Sequence, residues 1–198
     1  GAAPMAAALE NLLGGRISDG LVIVKYGHDL PEGQRTRRIR IKEGGHPVPD
    51  EAGAAAAGEI VDMALDSRED DLILCTFTGG ASALTPALHP EIPLADMQRL
   101  TSMLLECGAT IHEINTLRKH LSRFSGGSLV RADFPATVLG LIVSDVVGDD
   151  LDVIASGPTV PDTSTFADCL RVVEHYGLRW KMPQSIWARI EAGLQGRI

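Results

Sequence analysis

Apolar residues along the chain follow two different periods, and the two periods alternate. Short runs typical of strands occur at LVIVKY (21–26), RIRIK (38–42), LILCTF (72–77) and TVLGLIV (137–143), and the last two have the composition of buried strands. Between them lie longer segments with apolar residues three or four positions apart, which is the spacing of one helix face. An alternation of strands and helices at these lengths predicts a parallel sheet that helices cover on both faces.

Capping residues mark the ends of several predicted helices. The segment DEAGAAAAGEIVDMAL begins at Asp50, which is a favourable N-cap, and Glu51 lies in its first turn. The segment LADMQRLTSMLLECG has helical spacing, and Gly108 is placed to end it. Further helices are predicted in GAAPMAAALENLL, IHEINTLRKHL, GGSLVRA, TFADCLRVVEHYG and QSIWARIEAG. We therefore expect an α/β domain of three layers with a mainly parallel sheet.

The charge balance narrows the range of partners. The chain of 198 residues has a formal net charge of −8, which gives no support to binding of nucleic acid or of a membrane surface. The segment RTRRIRIK (35–42) is locally basic in this acidic chain. Its basic residues partly alternate with Ile39 and Ile41, which is typical of a strand with one solvent-exposed face. No apolar run approaches the length of a membrane span and no signal peptide is visible, so we expect a cytoplasmic protein.

The three cysteines do not form a recognisable motif. Cys75, Cys107 and Cys169 are odd in number and contain no CxxC pair. Neither a disulfide framework nor a zinc site is therefore indicated.

Ligands of parallel sheets bind outside the carboxyl ends of the strands, so the loops that follow strands are the candidates for chemistry. In TFTGGASAL (76–84), Gly79 and Gly80 permit a tight turn and a close approach of the backbone to a ligand. A helix beginning near Ser82 would add free N–H groups for an anion. An ordinary strand-to-helix turn is the alternative.

Two further loops carry candidate side chains. His46, in the rigid segment EGGHPVPDE, is either a ligand or proton donor, or a structural residue of a turn. The segment NTLRKHLSRFSGGSL places Arg118, Lys119 and His120 ahead of two glycines, which suggests an anionic substrate. A solvated basic helix face is the alternative, and helical spacing lets at most two of the three face one ligand.

The segment SDVVGDDLDVIASGPT (144–159) gathers carboxylates where a strand ends. Asp145 stands where a Mg²⁺ ligand or a general base belongs, and Asp149 follows a glycine that can turn the chain back. The other carboxylates, Asp150 and Asp152, are expected to be solvated or to cap turns. Small residues that could donate to a phosphate or carboxylate close the segment: Ser156, Gly157 and Thr159. A glycine loop, a basic segment and a carboxylate edge together favour phosphoryl transfer.

The motifs GGHPVPDEAG, TGGASAL, GATIHEINTLRKHLSRFSGGSL and SDVVGDDLDVIASGPTVPD, in this order, strongly resemble the class II glycerate kinases. The second domain of this family is called MOFRL. The resemblance implies phosphorylation of D-glycerate to 2-phosphoglycerate with ATP and Mg²⁺. The resemblance implies that residues 1–198 form the Rossmann-like N-terminal domain, with the first strand and its lysine element truncated and the MOFRL domain absent. A homodimer is a possible assembly.

The resemblance also implies roles for individual residues. The nucleotide loop falls on Gly79, Gly80, Ala81 and Ser82, the Arg-Lys-His segment on 118–120, and the Ser-Gly-Pro-Thr turn on 156–159. Asp145 is the implied catalytic aspartate that orients or deprotonates the hydroxyl, with Asp149 second and a candidate Mg²⁺ ligand. Arg118 or Lys119 would neutralise the carboxylate or the transferring phosphoryl group.

The chain departs from the family pattern at a few positions, which keeps open the second of two alternatives to a kinase. The family usually has glycine where this chain has Ala81, and often basic or amide residues where it has Ser125 and Ser128. One alternative is a hydroxypyruvate reductase that uses NADH or NADPH, although no dinucleotide fingerprint is present. The other is a non-catalytic module that binds a small acid or a nucleotide. The substrate is D-glycerate or a related hydroxy acid.

Overall fold

The computed structural model describes residues 1–144 and 146–198 and has the predicted mixed α/β architecture. The strands are β1 (Gly20–Lys25), β2 (Ile39–Gly44), β3 (Leu72–Phe77) and β4 (Thr137–Ile142). The helices are α1 (Ala2–Leu13), α2 (Glu51–Leu65), α3 (Ala81–Leu84), α4 (Leu94–Glu106), α5 (Ile111–Leu121), α6 (Ser128–Asp133), α7 (Phe166–His175) and α8 (Gln184–Leu194). Every strand and helix predicted from the sequence is present. Within these residues no helix is long and apolar enough to cross a membrane.

All strand pairings in the described part of the chain are parallel, as predicted, but they form two separate pairs. β1 pairs with β2 from Gly20 opposite Ile39, and β3 pairs with β4 from Leu72 opposite Thr137. Helix α1 contacts β1, β2 and β3, so it bridges the two pairs. The sequence predicted a single sheet, whereas the structure has two parallel pairs of strands that share a covering helix.

Helices cover the two pairs of strands to different extents. Ile23 of β1 packs into a cluster with Ala56 and Ala57 of α2, while Val24, which points to the other face, is also buried. In the second pair, Cys75 and Phe77 face the same cluster. The opposite face of β4 is open, with Leu139 50% and Leu141 36% exposed. The prediction of a fully buried β4 is thus wrong for one face, because the side chains of that face are only partly covered.

A second hydrophobic core consists of helices alone. Buried side chains of α4, α5, α7 and α8 pack on one another, among them Leu100, Leu104, Leu117, Ile186 and Ile190. The sequence predicted these helices, but as covers of a sheet. An amphipathic pattern reveals that a helix face is buried, not which element buries it. The fold therefore has an α/β core and a helical core, and the connection from β3 to β4 passes through the latter.

Capping fixes the helices that border the candidate site. The Asp50 carboxylate accepts a 2.8 Å hydrogen bond from the Gly53 amide, as its predicted N-cap role requires. Helix α5 begins with a capping box in which Thr110 and Glu113 satisfy each other's backbone amides. Such boxes satisfy amides that would otherwise lack partners at the first turn. The start of α5 is therefore firmly defined, and so are the directions of its side chains.

One buried carboxyl group opposes the stability of this fold. Asp133, at the end of α6, is 1% exposed. Its Oδ1 accepts a 3.3 Å bond from Ser67, whereas Oδ2 has no hydrogen-bond partner in the described part of the chain. Burial raises the pKa of this carboxyl group. An isosteric amide in its place would not ionise.

We expect Asp133→Asn to stabilise the protein near pH 7, by roughly 1–3 kcal/mol. Folded Asp133 retains its proton at pH values where the unfolded chain has released it, so its contribution makes stability fall as pH rises through that range. Urea unfolding at several pH values measures this slope. Asp70→Asn, which removes an exposed carboxyl group, is the control. Equal pH slopes for Asp133→Asn and the unsubstituted protein would contradict the prediction.

Candidate functional site

The glycine loop lies at the carboxyl end of β3, where the sequence predicted it. Gly80 has φ 85°, in the left-handed region, and a Cβ atom built there would lie 2.8 Å from His46 Nε2. The left-handed conformation favours glycine, and any larger residue would also displace the His46 ring. Exposed His46 therefore packs directly on the loop. Helix α3 begins at Ala81, close to the predicted start, but it is only four residues long.

The Ser-Gly-Pro-Thr segment forms a strained turn that holds the paired glycines. Ala155, Ser156 and Gly157 all lie in the left-handed region, with φ 54°, 60° and 62°. Residues other than glycine adopt this conformation at a cost of about 1–2 kcal/mol each. The carbonyl groups of Ser156 and Gly157 accept bonds of 2.9 and 2.8 Å from the amides of Gly126 and Gly127. The turn and the paired glycines are thus one unit.

Three side chains join the glycine loop, the strained turn and α5. The hydroxyl groups of Ser82 and Ser156 are 2.9 Å apart, and Ser156 donates a 3.0 Å bond to Asn115 Oδ1. Ser156 is 0% and Asn115 3% exposed. We call Ser82, Asn115 and Ser156 the serine junction. The sequence did not predict a role for Asn115, although its position one helical turn before Arg118 was a usable signal.

Arg118 lies beside the serine junction, and no charged group among the described residues is paired with it. It lines a cavity of about 20 Å³ together with Ser82, Ser122, Ser125 and Ser156. Burial lowers the pKa of its guanidinium group. Among residues 1–144 and 146–198, no carboxylate forms an ion pair with it and no acceptor bonds it. A largely desolvated cation next to a glycine loop is suited to an anionic ligand.

Lys119, the next residue of α5, has a different environment. Its side chain is 3% exposed, and its ammonium group forms ion pairs with Asp152 and, at 3.5 Å, with Asp162. The prediction that Asp152 is solvated or a cap is therefore wrong, because α5 directs Lys119 at it. Asp150 does cap a turn, since its carboxylate accepts a 3.1 Å bond from the Asp152 amide. Helical spacing correctly predicted that Arg118 and Lys119 would diverge.

The other predicted site residues lie apart from the junction. His120 packs edge-on against Phe166 with ring centres 4.5 Å apart, and its Nδ1 lies 3.8 Å from Asp162. Thr159 lies against β4, with its hydroxyl 3.9 Å from the Cβ position of Gly140. Asp149 is exposed and left-handed, with φ 53°. The described residues contain no group of three or more His, Cys, Asp or Glu placed to hold a metal.

A cleft opens at the carboxyl ends of β3 and β4, against the first turns of α1. Its volume is about 390 Å³, and Gly79 and Ser144 both line it. The glycine loop and the start of the aspartate-rich segment therefore meet here, as the strand-end rule predicted. Asp145, the predicted catalytic aspartate, lies outside the described residues and directly follows Ser144.

These features define an α/β domain whose glycine loop and strained serine turn meet at the carboxyl ends of parallel strands. A family model described as "Domain of unknown function (DUF4147)" matches residues 1–191, and the chain belongs to that family.

Relatives carry two kinds of name. The chain is 43% identical to glycerate 2-kinase from Pyrococcus horikoshii over 197 residues, which are 100% of this chain and 43% of that protein. It is 42% identical over 191 residues to a putative hydroxypyruvate reductase from Agrobacterium vitis, covering 96% of this chain and 42% of the relative. The chain thus spans less than half the length of these relatives.

A solved structure has the same fold. The crystal structure of glycerate kinase from Thermotoga maritima superimposes with a TM-score of 0.89 at 42% identity, covering 96% of this chain and 44% of that one. The resemblance to glycerate kinases predicted from the motifs is thereby confirmed.

The site geometry predicts that Lys119 stabilises the fold. Lys119→Met leaves Asp152 and Asp162 without their cation, and we expect a loss of about 3–5 kcal/mol in the free energy of unfolding. Lys42→Met is the matched control, because Lys42 pairs with Glu59 at the surface, where such pairs contribute less than about 1 kcal/mol. Urea unfolding of both variants measures the difference. Equal losses in the two variants would refute a structural role for Lys119.

Proposed function

We propose that this chain is the N-terminal, nucleotide- and substrate-binding part of a glycerate 2-kinase. The reaction is transfer of the terminal phosphoryl group of ATP to the 2-hydroxyl of D-glycerate. The names of the relatives support this proposal. The structural observation that carries it is Arg118, a largely buried cation without a partner among the described residues, beside the glycine loop. Glycerate and ATP are both anions, and each could supply the missing charge.

The residues divide the work of phosphoryl transfer between positioning and neutralisation. Backbone amides of the loop from Gly79 to Ser82 contact phosphate oxygens, and Arg118 neutralises the substrate carboxylate or the transferring group. Asp145 orients the glycerate hydroxyl and accepts its proton. Lys119 is assigned to the fold, because Asp152 and Asp162 already neutralise it.

The described residues offer different groups to the two cofactors of the proposed reaction. Arg118, which has no charged partner among the described residues, and the exposed backbone of the glycine loop suit the phosphates of ATP. Magnesium commonly uses one or two protein carboxylates together with phosphate oxygens and water, so a three-residue cluster is not required. Asp149 is the described carboxylate assigned to it. When bound, the ion neutralises charge on the phosphates.

A hydroxypyruvate reductase is the second candidate, and the name of the Agrobacterium vitis relative favours it. It requires NADH or NADPH and consumes no ATP. Incubation with hydroxypyruvate and NADPH, followed at the absorbance of the reduced nicotinamide, tests it directly. A non-catalytic module, the third alternative, would bind an acid or nucleotide saturably without turnover of either kind.

Phosphorus NMR of ATP, Mg²⁺ and D-glycerate tests the proposed reaction. We expect a 2-phosphoglycerate signal from the complete natural polypeptide that contains these residues. Running residues 1–198 beside it determines whether this part holds all the essential groups. Absence of the signal from both samples would refute the kinase.

The proposed base predicts a large effect of one substitution. We expect Asp145→Asn in the complete polypeptide to lower kcat by about 10²–10⁴-fold, because the amide cannot accept the hydroxyl proton. Unfolding temperature and substrate KM are expected to change little. Near-normal turnover in this variant would remove Asp145 from the proposed mechanism.

The proposed anion contact predicts a different kinetic pattern. Arg118→Gln is expected to lower kcat/KM by roughly tenfold to a hundredfold, the value of a charged hydrogen bond. The kcat/KM of this variant should also depend less on salt concentration than that of the unsubstituted protein, because the lost interaction is electrostatic. Arg131→Gln, at an exposed position of α6, is the matched control and should retain normal kinetics. Identical kinetics for both variants would exclude Arg118 from ligand binding.

A further inference from the structure

The serine junction is placed where the two cores of the protein meet. On one side, Ser82 belongs to α3, whose Leu84 is buried in the α/β core. On the other, Asn115 belongs to α5, whose Leu117 is buried in the helical core. Ser156 bonds to both. The glycine loop is therefore linked by side chains to the helical core, and Asn115 is the point of attachment.

The hydrogen bonds of the junction have a definite direction. A serine hydroxyl carries one proton. Ser156 donates that proton to Asn115 Oδ1, so the bond between the two serines requires Ser82 to be the donor. The proton of Ser82 is thus directed inward, towards Ser156. Ser82 and Arg118 line the same cavity, and on that side the Ser82 oxygen can accept a hydrogen bond but cannot donate one.

We propose that Asn115 is a positioning residue that acts on the glycine loop through Ser156. By accepting from Ser156, it fixes the direction of the hydrogen-bond chain and the orientation of the Ser82 side chain. The loop then contacts phosphate through backbone amides, while the Ser82 hydroxyl acts as an acceptor. This inference rests on the proposed kinase function and deepens it, since it names what holds the phosphate loop.

The geometry of Ser156 makes this coupling stiff. Ser156 is fully buried in a left-handed conformation that persists only because its surroundings impose it. Its carbonyl is bound by the Gly126 amide at 2.9 Å. The backbone that carries the Ser156 side chain is therefore fixed, and its hydroxyl has Asn115 and Ser82 as its partners among the described residues. A change at Asn115 is transmitted to Ser82 and not absorbed by Ser156.

A double-mutant cycle on the complete polypeptide tests the proposal. Asn115→Leu has a similar volume but accepts no hydrogen bond, so the Ser156 hydroxyl turns to donate to Ser82. We expect kcat to fall by about tenfold or more, as for misplaced positioning groups. In a Ser82→Ala background, the same substitution should change kcat by less than about twofold, because no hydroxyl remains to be oriented. Ser156→Ala replaces Asn115→Leu in the cycle if the latter does not fold.

Controls separate positioning from stability and from the reaction itself. Thr116→Ala removes a neighbouring hydroxyl of α5 whose one partner among the described residues is the His112 carbonyl of its own helix, and it should leave kcat unchanged. Additive effects of Asn115→Leu and Ser82→Ala in an active enzyme would overturn the positioning role.

A structural readout covers the case in which the unsubstituted enzyme does not phosphorylate glycerate. Asn115→Leu and Ser156→Ala should then shift the same backbone amide signals of Gly79–Ser82 in nitrogen–proton NMR spectra. Thr116→Ala should leave those signals in place. Unchanged loop signals in both junction variants would overturn the proposal independently of the kinase function.

Discussion

The structure depends most on the buried hydroxyl group of Ser156. It is the contact at which the α/β core, the helical core and the turn that holds the paired glycines meet. A polar group without solvent is costly unless it is bonded, and here the bonds are made to two elements far apart in the sequence. The relative position of the glycine loop and α5 follows from satisfying this one group. Arg118 then lies beside the loop because it shares a helix with Asn115.

Two adjacent basic residues of α5 have opposite roles because a helix turns by about 100° per residue. Arg118 points towards the serine junction, where no described carboxylate balances it, whereas Lys119 points towards Asp152 and Asp162. A charge already paired inside the protein adds little attraction for a ligand. A desolvated charge without a partner is available for one. This difference in surroundings is the basis for proposing that Arg118 binds the ligand and that Lys119 stabilises the fold.

The second strand pair forms one side of the candidate site and has an exposed outer face. Parallel pairing places the ends of β3 and β4 together, so the glycine loop and the aspartate-rich segment line one cleft. The outer face of β4 carries exposed apolar side chains such as Leu139. Relatives of this chain are more than twice its length. The chain thus matches less than half the length of these relatives, and the loops of the candidate site lie in the matched part.

Local chemistry made much of this protein predictable. Strand and helix positions follow from hydrophobic period, the cap of α2 from Asp50, and the location of the glycine loop from the end of an apolar run. The motifs in their order were enough for the family. These properties depend on neighbours in the chain, and a sequence displays its neighbours directly.

Other properties depend on contacts between distant segments. One example is the packing of four helices into a core of their own. Another is the ion pair between Lys119 and Asp152, which lie 33 positions apart. A third is the hydrogen bond from Ser156 to Asn115, which lie 41 positions apart. The hydrophobic period indicates that one face of a helix or strand is buried, and the composition shows which charged side chains are present. Neither states which partner satisfies it, because burial and hydrogen bonding are settled only when the folded chain removes water from both groups.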